Sequence, residues 1–237
     1  MARITQVSDA SASPEAASLF TAIKGKIGMV PNLYRVAANQ PAVLAGMLGL
    51  NESLSRGSFD ARTREAIALA VAGANSCDYC ASAHAAISAG LKVPPAAIDA
   101  HLEGRSDDPR TGAILALATT VVAAKGMVAD ADLAAAKVSG LSEADIVETV
   151  ANVVANILTN YINHVAETDI DFPARSARAA RRDRPGCAAA GPEFLSIRIL
   201  ESGQLLLMLP GSVCRPKHKA GHDRTLADGR TWTYDFR

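Results

Sequence analysis

The stretch "DARTREAIALAVAGANSCDYCASAHAAISAG", residues 60–90, predicts two consecutive helices and decides the fold class. Asp60 is a typical N-cap for a first helix over residues 61–75, and the second is predicted over about 76–90. One stripe of the first helix is apolar at helical spacing: Ile67, Val71 and Ala74. Most of the small residues are alanine, the best helix former, so both segments are expected to pack closely as helices.

The rest of the first 173 residues repeats this pattern. Hydrophobic residues make up 49% of the 237-residue chain but aromatic residues only 4%, so its core is expected to be built mainly from Ala, Leu, Val and Ile. N-cap, proline and glycine signals predict further helices over about 14–26, 41–57, 93–102, 107–126, 130–140 and 142–167. No convincing strand and no βαβ alternation occurs in this region, which argues against a thioredoxin fold. The predicted fold class is all-α, a multi-helix bundle.

Residues 174–237 differ from the helical part in charge and composition. Residues 1–173 hold 12 Lys+Arg and 18 Asp+Glu, whereas residues 174–237 hold 12 and 6. We expect a helical domain over 1–173, followed by a basic linker with a solvated arginine run at 175–184 and a β-hairpin within 194–213. This tail is either a small accessory element or a foreign, out-of-frame or disordered extension, and its composition favours the extension.

Composition also limits the function classes. The formal net charge of zero argues against a nucleic-acid partner. No signal peptide and no apolar run of membrane-spanning length is visible, so we expect a cytoplasmic protein without a membrane partner. The sequence predicts neither a cofactor nor a metal. Four cysteines are too few for a disulfide scaffold in a chain of this length, so the C-x-x-C pair is expected to be catalytic or metal-binding.

Cys77, Cys80 and His84 form the candidate site. On a helix over 76–90 they stand at positions i, i+3 and i+7, on one face. The two cysteines occupy the first turns, where the helix dipole and unpaired amide groups stabilise a thiolate. His84 lies one turn beyond Cys80 and can exchange a proton with that sulfur directly or through water.

Glu65 is a fourth candidate, 12 positions before Cys77 on an otherwise apolar helix face. A carboxylate that faces an apolar interior needs a partner. If the two helices pack as a hairpin, His84 or a thiol is available, and a Glu–His–Cys relay follows. The alternative is that Glu65 points to solvent or pairs with Arg62 or Arg64.

Other interpretations of the cluster are open at this point. The cysteines could be unreactive core residues, or Cys77, Cys80 and His84 could bind zinc with Glu65 as fourth ligand. Structural zinc sites usually gather ligands from separated loops or turns, which makes three ligands from one helix unusual.

The remaining histidines are less informative. His164 is expected to be a packed or helix-capping residue rather than a catalyst, and His101 is expected at the surface. Cys214, His218 and His222 have loosely metal-like spacing but lack a fourth ligand and a fold to hold them.

The pattern E-x11-C-x-x-C-x-x-x-H, from Glu65 to His84, resembles the signature of the alkylhydroperoxidase D-like branch of the carboxymuconolactone decarboxylase family. Three flanking blocks resemble its peroxidase-related members: "MVPNLYRVAANQPAVLAGML" (29–48), "FDARTREAIALAVA" (59–72) and "TNYINHVAETDIDFP" (159–173). The resemblance covers about residues 3–173. It implies an all-helical fold of the alkylhydroperoxidase D-like type that assembles into homo-oligomers, commonly trimers or hexamers.

The resemblance also implies a chemistry, the reduction of hydroperoxides by a cysteine pair. Cys80 would be the peroxidatic thiolate and become a sulfenic acid, and Cys77 would resolve it as a disulfide. Glu65 would act as base toward His84, and His84 toward Cys80. The decarboxylase branch acts on a lactone and generally lacks the cysteine pair, so it fits less well. A zinc-binding or structural helical protein and a general disulfide oxidoreductase are the alternative functions.

Tyr79 is the one departure from the pattern. The best-known alkylhydroperoxidase D proteins have a histidine immediately before the second cysteine, where this chain has Tyr79. The lipoyl-bearing adaptor that reduces those proteins is therefore not carried over. The expected partners are a hydroperoxide substrate and an unidentified thiol reductant.

Overall fold

The computed structural model describes residues 2–177, 196–199 and 205–208. The chain divides into two units, Met1–Arg184 and Pro185–Arg237. The described residues of the first unit contain only helices as regular structure, so the all-α prediction is confirmed. The helices are α1 (Pro14–Ile27), α2 (Asn32–Ala37), α3 (Pro41–Leu54), α4 (Ala61–Asn75), α5 (Asp78–Gly90), α6 (Pro95–Leu102), α7 (Pro109–Ala123), α8 (Asp130–Val138) and α9 (Glu143–Ala166).

Side-chain caps define where the main helices begin. The Asp60 carboxylate accepts a 2.7 Å hydrogen bond from the Thr63 amide at the start of α4. Ser142 and Asp145 form the predicted capping box of α9, each accepting from the other's backbone N–H. Helix α2 was not predicted, because six residues are too few to show a helical period.

Helix α4 is the centre of the unit. Its residues Ala66–Gly73 are all buried, and α5, α6, α7 and α9 pack around it. Leu69 and Ala72 face one core cluster. This cluster includes Cys77, which is the N-cap of α5, and Cys80, which lies within α5. Ile67 and Val71 face a second cluster formed with α7 and α9. The alanine-rich stretch that predicts the fold is therefore the helix that divides the core.

Gly73 permits the closest of these approaches. A Cβ atom at this position would collide with the carbonyl oxygen of Leu102, at the end of α6. Glycine is needed here for the distance between backbones and not for an unusual backbone angle. The position of α6 against α4 depends on this missing side chain.

Residues 175–177, the last described residues of the first unit, pack against α5. The Arg175 amide donates to Ser82 Oγ at 2.8 Å, and the Ala177 amide donates to Asp78 Oδ1 at 2.8 Å. Ala177 is fully buried, and the Arg175 guanidinium forms an ion pair with Asp99. Arg175 is thus 31% exposed and paired, and the remaining arginines of the predicted run lie outside the described residues, so the solvated run stays a prediction. The division of the chain after residue 173 stays a prediction.

The second unit contains two described strands. Strand β1 (Ser196–Ile199) pairs antiparallel with β2 (Leu205–Met208), with Ser196 opposite Met208 and Ile199 opposite Leu205. The hairpin expected within residues 194–213 is thus present. The rest of the predicted linker and the Cys214, His218 and His222 set lie outside the described residues.

His101 corrects another prediction. It was expected at the surface but is only 9% exposed in α6, and its Nδ1 has no hydrogen-bond partner among the described residues. Burial lowers the pKa of His101, so the neutral ring is favoured. The sequence offered no motif to show this, because burial here follows from the packing of α6 on α4.

The part of the chain that the structure describes contains no helix with the length and apolar character needed to span a membrane.

The Gly73 contact leads to a stability prediction. We expect Gly73→Ala to lower the free energy of unfolding by about 1–3 kcal/mol, because the new methyl group must push α6 away from α4. Urea unfolding followed by circular dichroism measures this change. Gly46→Ala is the matched control, since nothing lies within 4 Å of a Cβ there. It should stabilise α3 by about 0.5–1 kcal/mol. Equal effects of the two substitutions would contradict the close-approach argument.

Candidate active site

Cys77 and Cys80 form a disulfide at the junction of α4 and α5. Ser76, in the left-handed region at φ 58°, ends α4, and Cys77 is the N-cap of α5, with its sulfur accepting from the Cys80 amide at 3.3 Å. Cys77 therefore precedes the helix, whereas the sequence placed it on the helix face. Only two residues join the helices, so they form the hairpin that the relay hypothesis requires.

Both cysteines are buried, with exposed fractions of 1% for Cys77 and 2% for Cys80. Cys80 occupies the third position of α5, within the first turn, where backbone N–H groups lack helical partners. The positive end of the helix dipole lies at the same place. This location favours a thiolate at Cys80 when the pair is reduced.

Glu65 and His84 meet across the hairpin. Glu65 Oε2 lies 2.7 Å from His84 Nδ1, and the two side chains are 17% and 21% exposed. Arg62 and Arg64 donate instead to backbone carbonyls, at Leu91 and Phe59. The sequence left two alternatives for Glu65, and in the structure its partner is His84 rather than an arginine or solvent. Since Nδ1 is engaged by the carboxylate, Nε2 is the ring nitrogen that remains for proton exchange.

Two of the cavities border the disulfide, one at Cys80 and the other at Cys77. An apolar cavity of about 390 Å³ is lined by Cys80 and His84 together with Tyr34, Tyr79, Ile87 and Phe172 among others. A more polar cleft of about 410 Å³ is lined by Cys77 with Asp78, Asn163, His164, Glu167 and Thr168 among others. The two sulfurs are therefore approached from chemically different environments.

Tyr79 contributes to the walls of both cavities. Its hydroxyl accepts from the Leu33 amide at 3.1 Å and donates to Asp171 Oδ1 at 2.9 Å. The rings of Tyr79 and Phe172 are nearly perpendicular, and their centroids are 5.9 Å apart. Burial raises the pKa of Tyr79 far above its ordinary value, and although the Leu33 amide opposes this, the Asp171 carboxylate adds to it. The residue that replaces the expected histidine is thus a neutral, anchored phenol.

Asn163, on α9, is a site residue that the sequence reasoning missed. Its Nδ2 donates to Cys80 Sγ at 3.3 Å, and the residue is 4% exposed. It is the last of a row of asparagines at helical spacing on α9: Asn152, Asn156, Asn160 and Asn163. Amides that recur at this period along one helix are the signal that would have indicated it.

Tyr34 is the second missed residue. It lines the apolar cavity with Cys80 and His84. Burial raises the pKa of Tyr34, and the charge of Glu65 adds to the shift. Its phenol is therefore neutral at physiological pH.

His164 lies outside the Glu65–His84–Cys80 cluster. It is exposed, stacks on Tyr161 with 6.4 Å between ring centroids, and lines the polar cleft beside Cys77. Among the described residues, no group of three or more His, Cys, Asp and Glu side chains is placed to hold a metal ion.

Residues 41–107 match the sequence model of the carboxymuconolactone decarboxylase family. This segment includes Glu65, Cys77, Cys80 and His84. None of the curated proteins compared with the chain matches it in sequence.

Solved structures share the fold of the helical unit. A peroxidase-related protein from Ralstonia eutropha JMP134, described as an alkylhydroperoxidase AhpD core, aligns with a TM-score of 0.65 and 24% identity over 72% of this chain and 92% of its own. A peroxidase-related protein from Silicibacter sp. TM1040 aligns with a TM-score of 0.62 and 22% identity, over 70% of this chain and 89% of its own. The debrominase Bmp8, as a cysteine-to-alanine variant in complex with 2,3,4-tribromopyrrole, aligns with a TM-score of 0.62 and 20% identity. The alignment covers 76% of this chain and 95% of Bmp8. The resemblance predicted from the sequence is confirmed.

The anchoring of Tyr79 leads to a second prediction. Tyr79→Phe removes the acceptor of the buried Leu33 amide and the donor to Asp171, so we expect a loss of about 1–3 kcal/mol in the free energy of unfolding. Tyr161→Phe is the control, because Tyr161 is 56% exposed. Denaturant titration of both variants measures the difference. If the Tyr79 and Tyr161 variants are equally stable, the hydroxyl does not anchor the 169–172 segment.

Proposed function

We propose that this protein, whose residues 41–107 match the sequence model of the carboxymuconolactone decarboxylase family, is a thiol-dependent peroxidase that reduces organic hydroperoxides. One observation carries the proposal: a Cys-x-x-Cys disulfide whose second sulfur shares an apolar cavity with a histidine bound to a carboxylate. This arrangement supplies a nucleophile, a base and an orienting group, the three parts that nucleophilic catalysis by a thiol requires.

In the oxidative half-reaction, His84 accepts the proton of the Cys80 thiol while Glu65 holds the ring by Nδ1. The thiolate attacks the distal oxygen of the hydroperoxide, the O–O bond breaks, and the alkoxide takes the proton from His84 to leave as an alcohol. Cys80 becomes a sulfenic acid. The Cys77 thiol then displaces water from it, and the disulfide forms.

In the reductive half-reaction, a thiol reductant breaks this disulfide. Its thiolate attacks Cys77 Sγ from the polar cleft, Cys80 leaves as a thiolate, and a mixed disulfide remains on Cys77. A second reductant thiol then releases Cys77 and takes the two oxidising equivalents as its own disulfide. The apolar lining of the other cavity favours substrates with a hydrocarbon group over hydrogen peroxide.

A second candidate function is the reductive removal of halogen from a small aromatic compound. The apolar cavity beside a redox cysteine supports it, together with the fold shared with a debrominase. In that reaction a carbon–bromine bond is replaced by carbon–hydrogen, and two thiols are oxidised to a disulfide. Bromide release from 2,3,4-tribromopyrrole with dithiothreitol separates this candidate from the peroxidase.

The cysteines lead to the third prediction. The other two cysteines of the chain, Cys187 and Cys214, are first replaced by serine so that only the site thiols remain. In this background, the reduced protein should consume tert-butyl hydroperoxide and form a Cys77–Cys80 disulfide, which mass spectrometry maps. Cys80→Ser should abolish consumption. Cys77→Ser should still react once, leaving a sulfenic acid on Cys80 that dimedone traps.

Other outcomes identify the alternatives. Thiols that stay reduced at millimolar peroxide, in a protein carrying one equivalent of zinc, would indicate a zinc-binding or structural protein. Rapid reduction of unrelated protein disulfides without peroxide consumption would indicate a general disulfide oxidoreductase.

Glu65 carries the fourth prediction. Glu65→Gln keeps a hydrogen-bonding group near His84 Nδ1 but removes the charge, so we expect the second-order rate with peroxide to fall by at least about tenfold. Stopped-flow oxidation of the reduced protein measures this rate. Glu52→Gln is the control, since Glu52 is exposed on α3 and pairs with Arg56. An unchanged rate in Glu65→Gln would remove Glu65 from the relay.

A further inference from the structure

The Asn163 carboxamide makes a contact that the proposed reaction does not use. Its Nδ2 donates to Cys80 Sγ at 3.3 Å. Both residues are buried, with exposed fractions of 2% for Cys80 and 4% for Asn163. The other side-chain atom, Oδ1, has no hydrogen-bond partner among the described residues. The cysteine sulfur is thus the group toward which this buried amide is directed.

We propose that Asn163 is a catalytic hydrogen-bond donor that stabilises the Cys80 thiolate. The inference rests on the proposed function for the identity of the reacting sulfur. A buried anion is costly unless a donor faces it, and a hydrogen bond to a charged acceptor is stronger than one to a neutral acceptor. An amide does not titrate, so this donor is present at every pH, whereas His84 must change its protonation state to act.

The orientation of the amide matters for this role. If it were reversed, Oδ1 would face the sulfur and repel a thiolate, and the sulfur would lose its donor. The last turn of α9 fixes the backbone of the residue, because the Asn163 carbonyl accepts from the amides of Glu167 and Thr168. The donor is therefore held in place from a different helix than the one that carries Cys80.

A stabilised thiolate at Cys80 also determines how the disulfide opens. In thiol–disulfide exchange the sulfur with the lower thiol pKa leaves more readily. Asn163 therefore directs an incoming thiol to Cys77, which lines the polar cleft that Asn163 itself borders. One side chain thereby favours both the attack on peroxide and the direction of re-reduction.

Several titratable groups surround the two sulfurs and influence Cys80 in every variant. Those in or next to the apolar cavity are Tyr34, Glu65, Tyr79, His84 and Asp171, and those at the polar cleft are Asp78, His164 and Glu167. Because none of them changes when Asn163 is replaced, the difference between two variants isolates the contribution of the amide.

The test measures the pKa of the Cys80 thiol directly. In a Cys77→Ser/Cys187→Ser/Cys214→Ser protein, Cys80 is the single thiol, and the pH dependence of its alkylation by iodoacetamide gives its pKa. We expect Asn163→Ala to raise this pKa by about one unit, which leaves about tenfold less thiolate at pH values below both. Asn152→Ala is the matched control, an equally buried asparagine of α9 whose Nδ2 donates to the Glu148 carbonyl at 2.9 Å. It should leave the pKa unchanged.

A second variant covers the case in which Asn163→Ala does not fold. Asn163→Asp has the same shape but replaces the donor with a carboxylate, so it should raise the Cys80 pKa at least as much. An unchanged pKa in the folded variants would overturn the proposal, as would a shift of equal size in Asn152→Ala. No peroxide enters this assay. A protein without peroxidase activity could therefore still show the shift, and an active peroxidase could lack it.

Discussion

The burial of residues Ala66–Gly73 of α4 is the constraint on which the helical unit depends. A helix surrounded by α5, α6, α7 and α9 can be approached closely only if its side chains are small, and alanine together with Gly73 meets this requirement. The same helix carries Glu65 near its start, before the buried stretch, where the side chain is 17% exposed. The carboxylate is thus held by the central helix of the unit and reaches His84 on the next helix. Core packing and site geometry follow from one helix.

The electrostatics of the cysteine pair come from three different sources. The N-terminus of α5 supplies amide groups and a dipole, the Glu65–His84 pair supplies a base with a fixed orientation, and α9 supplies an uncharged amide. The Glu65–His84 pair joins α4 to α5, and the amide of Asn163 comes from α9, far along the chain. Holding a reactive sulfur between separately supported groups restricts its motion, which is what a preorganised site requires.

Much of this arrangement can be predicted from the sequence, and the parts that cannot share a physical cause. Local signals located the caps at Asp60 and Ser142 and the two consecutive helices α4 and α5, because each depends on neighbouring residues. The exposure of His101 and the contact of Asn163 with Cys80 depend on which distant helices meet, and no local pattern encodes that. Cys77 lies between these two cases. It was expected on the face of a helix that begins at about residue 76, but α5 begins at Asp78 and Cys77 is its N-cap. A periodic pattern indicates that a helix exists more reliably than where it begins.

The position of Tyr79 in the walls of both cavities has a consequence for how two mutually reactive compounds are handled. A hydroperoxide and a thiol oxidise and reduce each other when they share a pocket, so a single entrance would force them to compete for it. Here the neutral ring of Tyr79 borders both cavities, each cysteine lines a different one, and the disulfide joins the two. Under the proposed chemistry the peroxide meets Cys80 and the reductant meets Cys77. Under the proposed chemistry the protein works as a two-compartment exchanger, and saturation of one chamber does not obstruct the other.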